Sequence, residues 1–204
     1  MTDRPIIFSA PMIQALLANR KTMTRRYAWR TSGQDDAENF PTVWQSARPG
    51  DRLWVRESLQ RYERAPPTAQ YVADITGVPA PLGHMRHPNG AALWQWYKNR
   101  IPSIHMPRWA SRLTLVVTAT RIEPLREISD EDAVAEGVLA RDAAHPAEGQ
   151  HRRRFEELWK TLHGEESWDA NPEVVVVSFR TEKIKGIIYF TPLTKPRELS
   201  TLGA

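Results

Sequence analysis

Residues 16–26 read LLANRKTMTRR, an apolar pair followed by one lysine, two threonines and three arginines with almost no spacers. Two kinds of chemistry fit such a cluster. In one, the charges form a solvated helix end, with Arg20 and Lys21 complementing the negative end of the helix dipole. In the other, Lys21 is a base for the hydroxyl of Thr24. A threonine hydroxyl is a weak nucleophile at neutral pH and needs a neighbouring base, which a neutral lysine supplies. The ordinary lysine pKa is about 10.4, so burial or nearby cations must lower it. Arg20, Arg25 and Arg26 are placed to provide that field. A continued helix puts Lys21 and Thr24 on adjacent faces, and an extended turn also lets them converge.

Further side chains could share that chemistry. Glu136 falls at the end of a helix predicted from ISDEDAVAEGV, where the dipole disfavours an anion. That favours proton transfer or polarisation of Lys21, against the alternative of a plain solvated residue. Arg26 offers a rigid fork of donors suited to a base edge or a developing oxyanion. Trp109, in HMPRW, either stacks on a planar substrate or fills a core. His84 and His87 form an HxxH without a convincing third ligand, so no metal and no other cofactor is expected.

The composition narrows the field. The chain has 204 residues, 41% hydrophobic and 25% charged, which suits one globular domain long enough to bury a real core. A net charge of +4, from 28 basic and 24 acidic residues, is a mild excess that suits an anionic or RNA-like partner without requiring one. Cysteine is absent, which excludes disulfides, cysteine-based zinc fingers and thiol nucleophiles. MTDRPIIFSAP has too short an apolar stretch for a signal peptide, and no run approaches the roughly 18 apolar residues of a membrane span. The expectation is a soluble cytoplasmic protein with a small-molecule substrate, RNA as a further candidate partner, no membrane contact and no obligate protein partner.

Periodicity supplies the elements that must position these residues. Pro11, Met12, Ile13, Leu16 and Leu17 predict a short amphipathic helix that Asn19 can end in a left-handed turn. RPGDRLWVRESLQ predicts a half-buried strand with Leu53 and Val55 on one side and Trp54 and Arg56 on the other. SRLTLVVTATRIEPL predicts a central strand with Leu113, Leu115, Val117 and Ala119 on one face. Ser129 is the expected N-cap of the ISDEDAVAEGV helix, and Gly137 its stop. RRRFEELWKTLHG predicts a helix with Phe155, Leu158, Trp159 and Leu162 on one stripe and the three arginines solvated. After the turn signal SWDANP, VVVVSF reads as a buried strand.

Residues 63–107 hold seven prolines and read as a long inserted loop, with a possible short strand near residues 70–75 and a WQWY cluster. These elements predict an α+β domain over residues 1–182, built on a small, mostly antiparallel β-barrel with short flanking helices. Residues 183–204 form a C-terminal extension, of which 192–204 are expected to be dispensable. Trp54, Arg56 and Glu57 either line the mouth of that barrel or serve packing and pairing.

The order of helix, NRKTMTRR, GDRLWVRE, alternating strand, ISDEDAVAEG and VVVVSF resembles the ASCH domain, a PUA-like β-barrel associated with RNA-related functions, over roughly residues 6–180. SIHMPRWASR and SWDANPEVVVVSF resemble phage-associated ASCH proteins. RKTMT is similar to the RKTxT segment of small bacterial ASCH amidohydrolases that deacylate N(4)-acetylcytidine. That resemblance implies a catalytic lysine, threonine and glutamate at Lys21, Thr24 and Glu136, and an amidohydrolase that releases cytidine and acetate. Two other classes remain, an RNA-binding module and an ASCH-type ribonuclease. The basic residues form no single stripe with interleaved aromatics, and no histidine pair is placed for acid and base roles in phosphodiester cleavage.

Overall fold

The VVVVSF run lies at the centre of the molecule. In the computed structural model, which describes residues 2–31, 39–63, 65–139 and 147–183, it belongs to a strand over Glu173–Lys183. Val175 and Val177 face one apolar cluster and Val174 and Val176 another, so the strand is buried on both sides. A strand buried on both faces reads as a continuous apolar run, because alternation with polar residues would put polar groups in one of the cores.

In chain order, the main elements are β1 (Asp3–Ile7), α1 (Ala10–Leu17), β2 (Met23–Tyr27), β3 (Trp29–Thr31), β4 (Asn39–Pro41), β5 (Arg52–Arg56), β6 (Leu59–Tyr62), β7 (Thr68–Tyr71) and β8 (Arg100–Ile101). There follow β9 (Leu113–Pro124), α2 (Asp130–Ala135), α3 (Gln150–His163), α4 (Glu166–Asp169) and β10 (Glu173–Lys183). The fold is α+β. Its main sheet has the order β1-β5-β9-β10-β2, antiparallel except for the parallel pair β1 and β5. The ladder ends at β1 and β2, which do not pair with each other among the described residues, so strand pairing alone closes no barrel.

Several expectations hold in detail. The first helix starts beside Pro11, and Asn19 follows it with a φ of 56°. Leu53 and Val55 are fully buried in β5, and Ser129 caps α2 by accepting from Asp132 N at 3.1 Å. Ala119 departs from its predicted face. Ser178 pairs with Ala119 but Phe179 pairs with Val117, leaving Thr118 as an extra residue. Such a bulge breaks the two-residue alternation, and Ala119 is exposed.

The proline-rich segment is more than a loop. β6, β7 and β8 form a second sheet, and Leu59, Tyr71, Val78, Ile101 and Met106 make a third apolar cluster around it. The strand lies at Thr68–Tyr71, not at 70–75, because Ile75 takes a φ of 62° in the turn that follows. SWDANP is also more than a turn, since its first three residues belong to α4, whose Trp168 is buried against Phe155 and Trp159. Of the three arginines that open α3, Arg152 is not simply solvated: it donates to the carbonyls of Ile128 and Arg126 at 3.2 and 3.0 Å. No helix among the described residues is long and apolar enough to cross a membrane. The extension beyond Lys183 lies outside the described residues.

Candidate active site at the open seam of the sheet

Local backbone geometry carries Lys21 out of the helix and into the interior. Beyond the left-handed Asn19, the N–H groups of Arg20 and Lys21 both donate to Ala15 O, at 2.9 and 3.2 Å. Thr22 N then donates to Ala135 O and Thr22 O accepts from Phe179 N, each at 2.8 Å. The linker is thus clamped between the end of α2 and β10. Lys21 does not cap α1, and Thr24, Arg25 and Arg26 continue as strand β2.

The Lys21 side chain is only 2% exposed. Its Nζ donates to Glu136 Oε2 at 2.7 Å and to the carbonyls of Glu136 and Met23, both at 2.8 Å. Those bonds use all three ammonium donors, and none goes to Thr24. Burial is the main influence on Lys21 and pushes its pKa below the ordinary 10.5, against the opposing pull of Glu136 and with help from Arg26 and Arg25. Glu136, the C-cap of α2, is 4% exposed. Arg25 Nη1 lies 3.4 Å from Glu136 Oε1, while Arg25 Nη2 meets Glu123 at 2.6 Å and also Asp132. Arg121 binds the same two carboxylates, each at 2.5 Å.

Gly137 makes the meeting of α2 with Lys21 possible. Its φ is 86°, and a Cβ placed there would lie 2.9 Å from Ala15 Cβ and 3.0 Å from Lys21 Cβ. Gly137→Ala is therefore expected to cost on the order of 2 kcal/mol in denaturant unfolding, from left-handed strain and overpacking together. An unchanged unfolding midpoint would show that the end of α2 can shift freely.

Lys21, Thr24, Arg26 and Glu136 all line one cavity of about 290 Å³. It lies between the end of β1 and β2, the two strands at which the ladder stops. There Arg26 Nη2 reaches across to Ile7 O at 3.0 Å, and its guanidinium lies over the rings of Phe8 and Trp44 at 5.3 and 5.8 Å. α3 supplies the opposite wall with Phe155, Trp159, Leu162 and His163.

The sequence reading missed His163, which stacks on Trp159 with ring centroids 4.2 Å apart. Burial, assisted by Arg26, lowers its pKa below 6.5. The signal was the four-residue step from Trp159 to His163, which continues the same helical stripe. Leu162 shares the apolar stripe predicted for this helix but is 62% exposed and lines the cavity.

Trp109 is not brought to this cavity. It packs against the cluster of the small sheet, with its ring 5.3 Å from that of His84. The aromatic wall is instead built from α3. Trp54 is also elsewhere, flanked by the guanidinium groups of Arg56 and Arg108 at 4.6 and 5.2 Å. Glu57 pairs with Arg112 through both carboxylate oxygens, at 2.9 and 2.8 Å.

Against family models, curated proteins and solved structures, the chain finds no match. The chemistry therefore has to be argued from the site itself. A buried lysine of lowered pKa, a carboxylate in contact with it, and a buried hydroxyl on the same wall can together move a proton and present a nucleophile. Among the described residues, no group of three or more His, Asp or Glu side chains could hold a metal ion.

Proposed function

We propose that this protein is an amidohydrolase that removes the acyl group from N(4)-acylated cytidine, and that its open-seamed sheet is an ASCH-like, PUA-related barrel. The observation that carries the reading is the convergence of Lys21, Thr24, Arg26 and Glu136 on one small cavity with aromatic walls. Its volume lies at the lower end for small-molecule sites, which suits a nucleoside better than a folded RNA.

In the proposed reaction, Lys21 acts as the neutral amine, which its burial favours, held across a 2.7 Å contact with Glu136 Oε2. Thr24 Oγ attacks the acyl carbon on the exocyclic nitrogen, and Lys21 takes the hydroxyl proton. Collapse of the tetrahedral intermediate breaks the C–N bond. The leaving amine takes a proton from Lys21 or Glu136, and water then releases the acyl group from Thr24 as the carboxylic acid. Direct attack by water, with Thr24 only hydrogen-bonding to the substrate, uses the same residues. Arg26 has one donor committed to Ile7 O, so others remain for the developing oxyanion or the base. Trp159 and His163 offer a planar face for the pyrimidine.

Incubating the purified chain with N(4)-acetylcytidine, with chromatography for cytidine and acetate, tests the reading. Turnover is expected to persist in the presence of chelator. Loss of activity in chelator with recovery on adding zinc or manganese would overturn the metal-free mechanism. An RNA-binding reading draws on Arg56 and Arg108 stacked on Trp54. It predicts tight, salt-sensitive RNA binding without deacylation.

A further inference from the structure

A second cavity, of about 390 Å³, shares Ile7, Phe8 and Ser9 with the first. The two cavities therefore adjoin the same stretch of chain, from the end of β1 to the start of α1. Their linings differ in chemistry. The second cavity counts Glu57, Ser9, Ser58, Ser103 and Arg100 among its lining residues.

Glu57 is 2% exposed and locked by Arg112, which is itself held by Asp74 at 2.6 Å and Thr76 at 2.9 Å. Each Glu57 oxygen accepts one Arg112 donor and retains a second lone pair. The carboxylate is therefore held in place, and Glu57 forms part of the cavity lining. Arg100 is exposed and makes no ion pair with a carboxylate among the described residues.

We propose that this second cavity is a sugar-phosphate subsite, so that the preferred substrate is an acylated cytidine nucleotide and not the free base. The inference rests on the deacylation reading for the first cavity. Vicinal sugar hydroxyls donate to a fixed carboxylate and accept from serine hydroxyls, a pairing by which acidic side chains hold ribose elsewhere. A phosphate on that sugar meets Arg100, whose planar fork binds two phosphate oxygens at once. The base then enters the first cavity from the shared wall, with its acylated amine toward Lys21 and Thr24.

Calorimetric titration of the full chain with cytosine, cytidine and cytidine 5′-monophosphate tests the subsite without any turnover. Affinity is expected to rise along that series, with the monophosphate at least tenfold tighter than cytosine. Arg100→Glu, at an exposed position, is expected to fold and to abolish the advantage of the monophosphate over cytidine. Equal affinities for the three ligands, binding of none of them, or a monophosphate advantage that survives Arg100→Glu would each overturn the proposal. The two readings fail separately. The expected binding order without hydrolysis of N(4)-acetylcytidine 5′-monophosphate rejects deacylation and keeps the subsite. Hydrolysis of N(4)-acetylcytosine and that nucleotide with equal kcat/KM rejects the subsite and keeps deacylation.

Discussion

Thr24→Val protein is expected to fold normally and to deacylate N(4)-acetylcytidine at least about a hundredfold more slowly, the order seen when a nucleophile is removed. The substitution is nearly isosteric, and position 24 lies in β2 with its backbone paired to Val177 of β10. Valine suits a strand at least as well as threonine, and Lys21 forms no hydrogen bond to the hydroxyl that is lost. Stability should therefore change by no more than about 0.5 kcal/mol. Thr24→Ser keeps a hydroxyl and should retain part of the turnover. Near-normal rates for a well-folded Thr24→Val protein would remove Thr24 from the chemistry and favour direct attack by water.

Altering the Lys21–Glu136 pair should affect both rate and fold. Glu136→Gln is expected to slow turnover about a hundredfold, because the amide can neither polarise Lys21 nor pass a proton to the leaving amine. It also leaves a buried ammonium with only carbonyl partners, and removing one member of a buried pair typically costs about 3–5 kcal/mol. Lys21 escapes part of that cost by becoming neutral. For the unaltered protein, kcat/KM should rise with pH through an inflection below 10.5, since Lys21 accepts a proton only when neutral and burial lowers its pKa. Glu136 opposes that lowering, so Glu136→Gln should move the inflection further down. A profile flat from about pH 6 to 10 would reject a lysine base. Lys21→Arg preserves the charge but cannot accept a proton. The narrow space beside Ala15 and Gly137 makes it an overpacking change as well, costing about 1–3 kcal/mol. Rate comparisons therefore need protein shown to be folded by circular dichroism and denaturant unfolding.

Local rules made much of the fold legible. The apolar spacing of α1, the Ser129 cap, the alternation of β5 and the β-branched run of β10 each depend on residues close in sequence. They failed where packing between distant segments intervened. Alternation along β9 predicted Ala119 on the core face, but a register shift against β10 broke it. The prolines of residues 63–107 suggested a loop, whereas pairing of β6 with β7 and β8 gathers apolar residues into a cluster of their own.

The candidate site divides along the same line. The sequence alone determined which side chains have the chemistry: a lysine and a threonine three positions apart, and a glutamate where the acidic helix ends. It did not determine that Lys21 turns inward, because burial of an ammonium depends on Glu136, 115 positions away, and on Gly137 leaving room. Trp109 and Trp159 are both plausible stacking residues when only composition and spacing are considered. Tertiary structure put Trp159 on the cavity wall and Trp109 under the small sheet. The cavity itself exists because the ladder stops at β1 and β2, with an arginine side chain reaching from one to the other where a further strand pair would have filled the space.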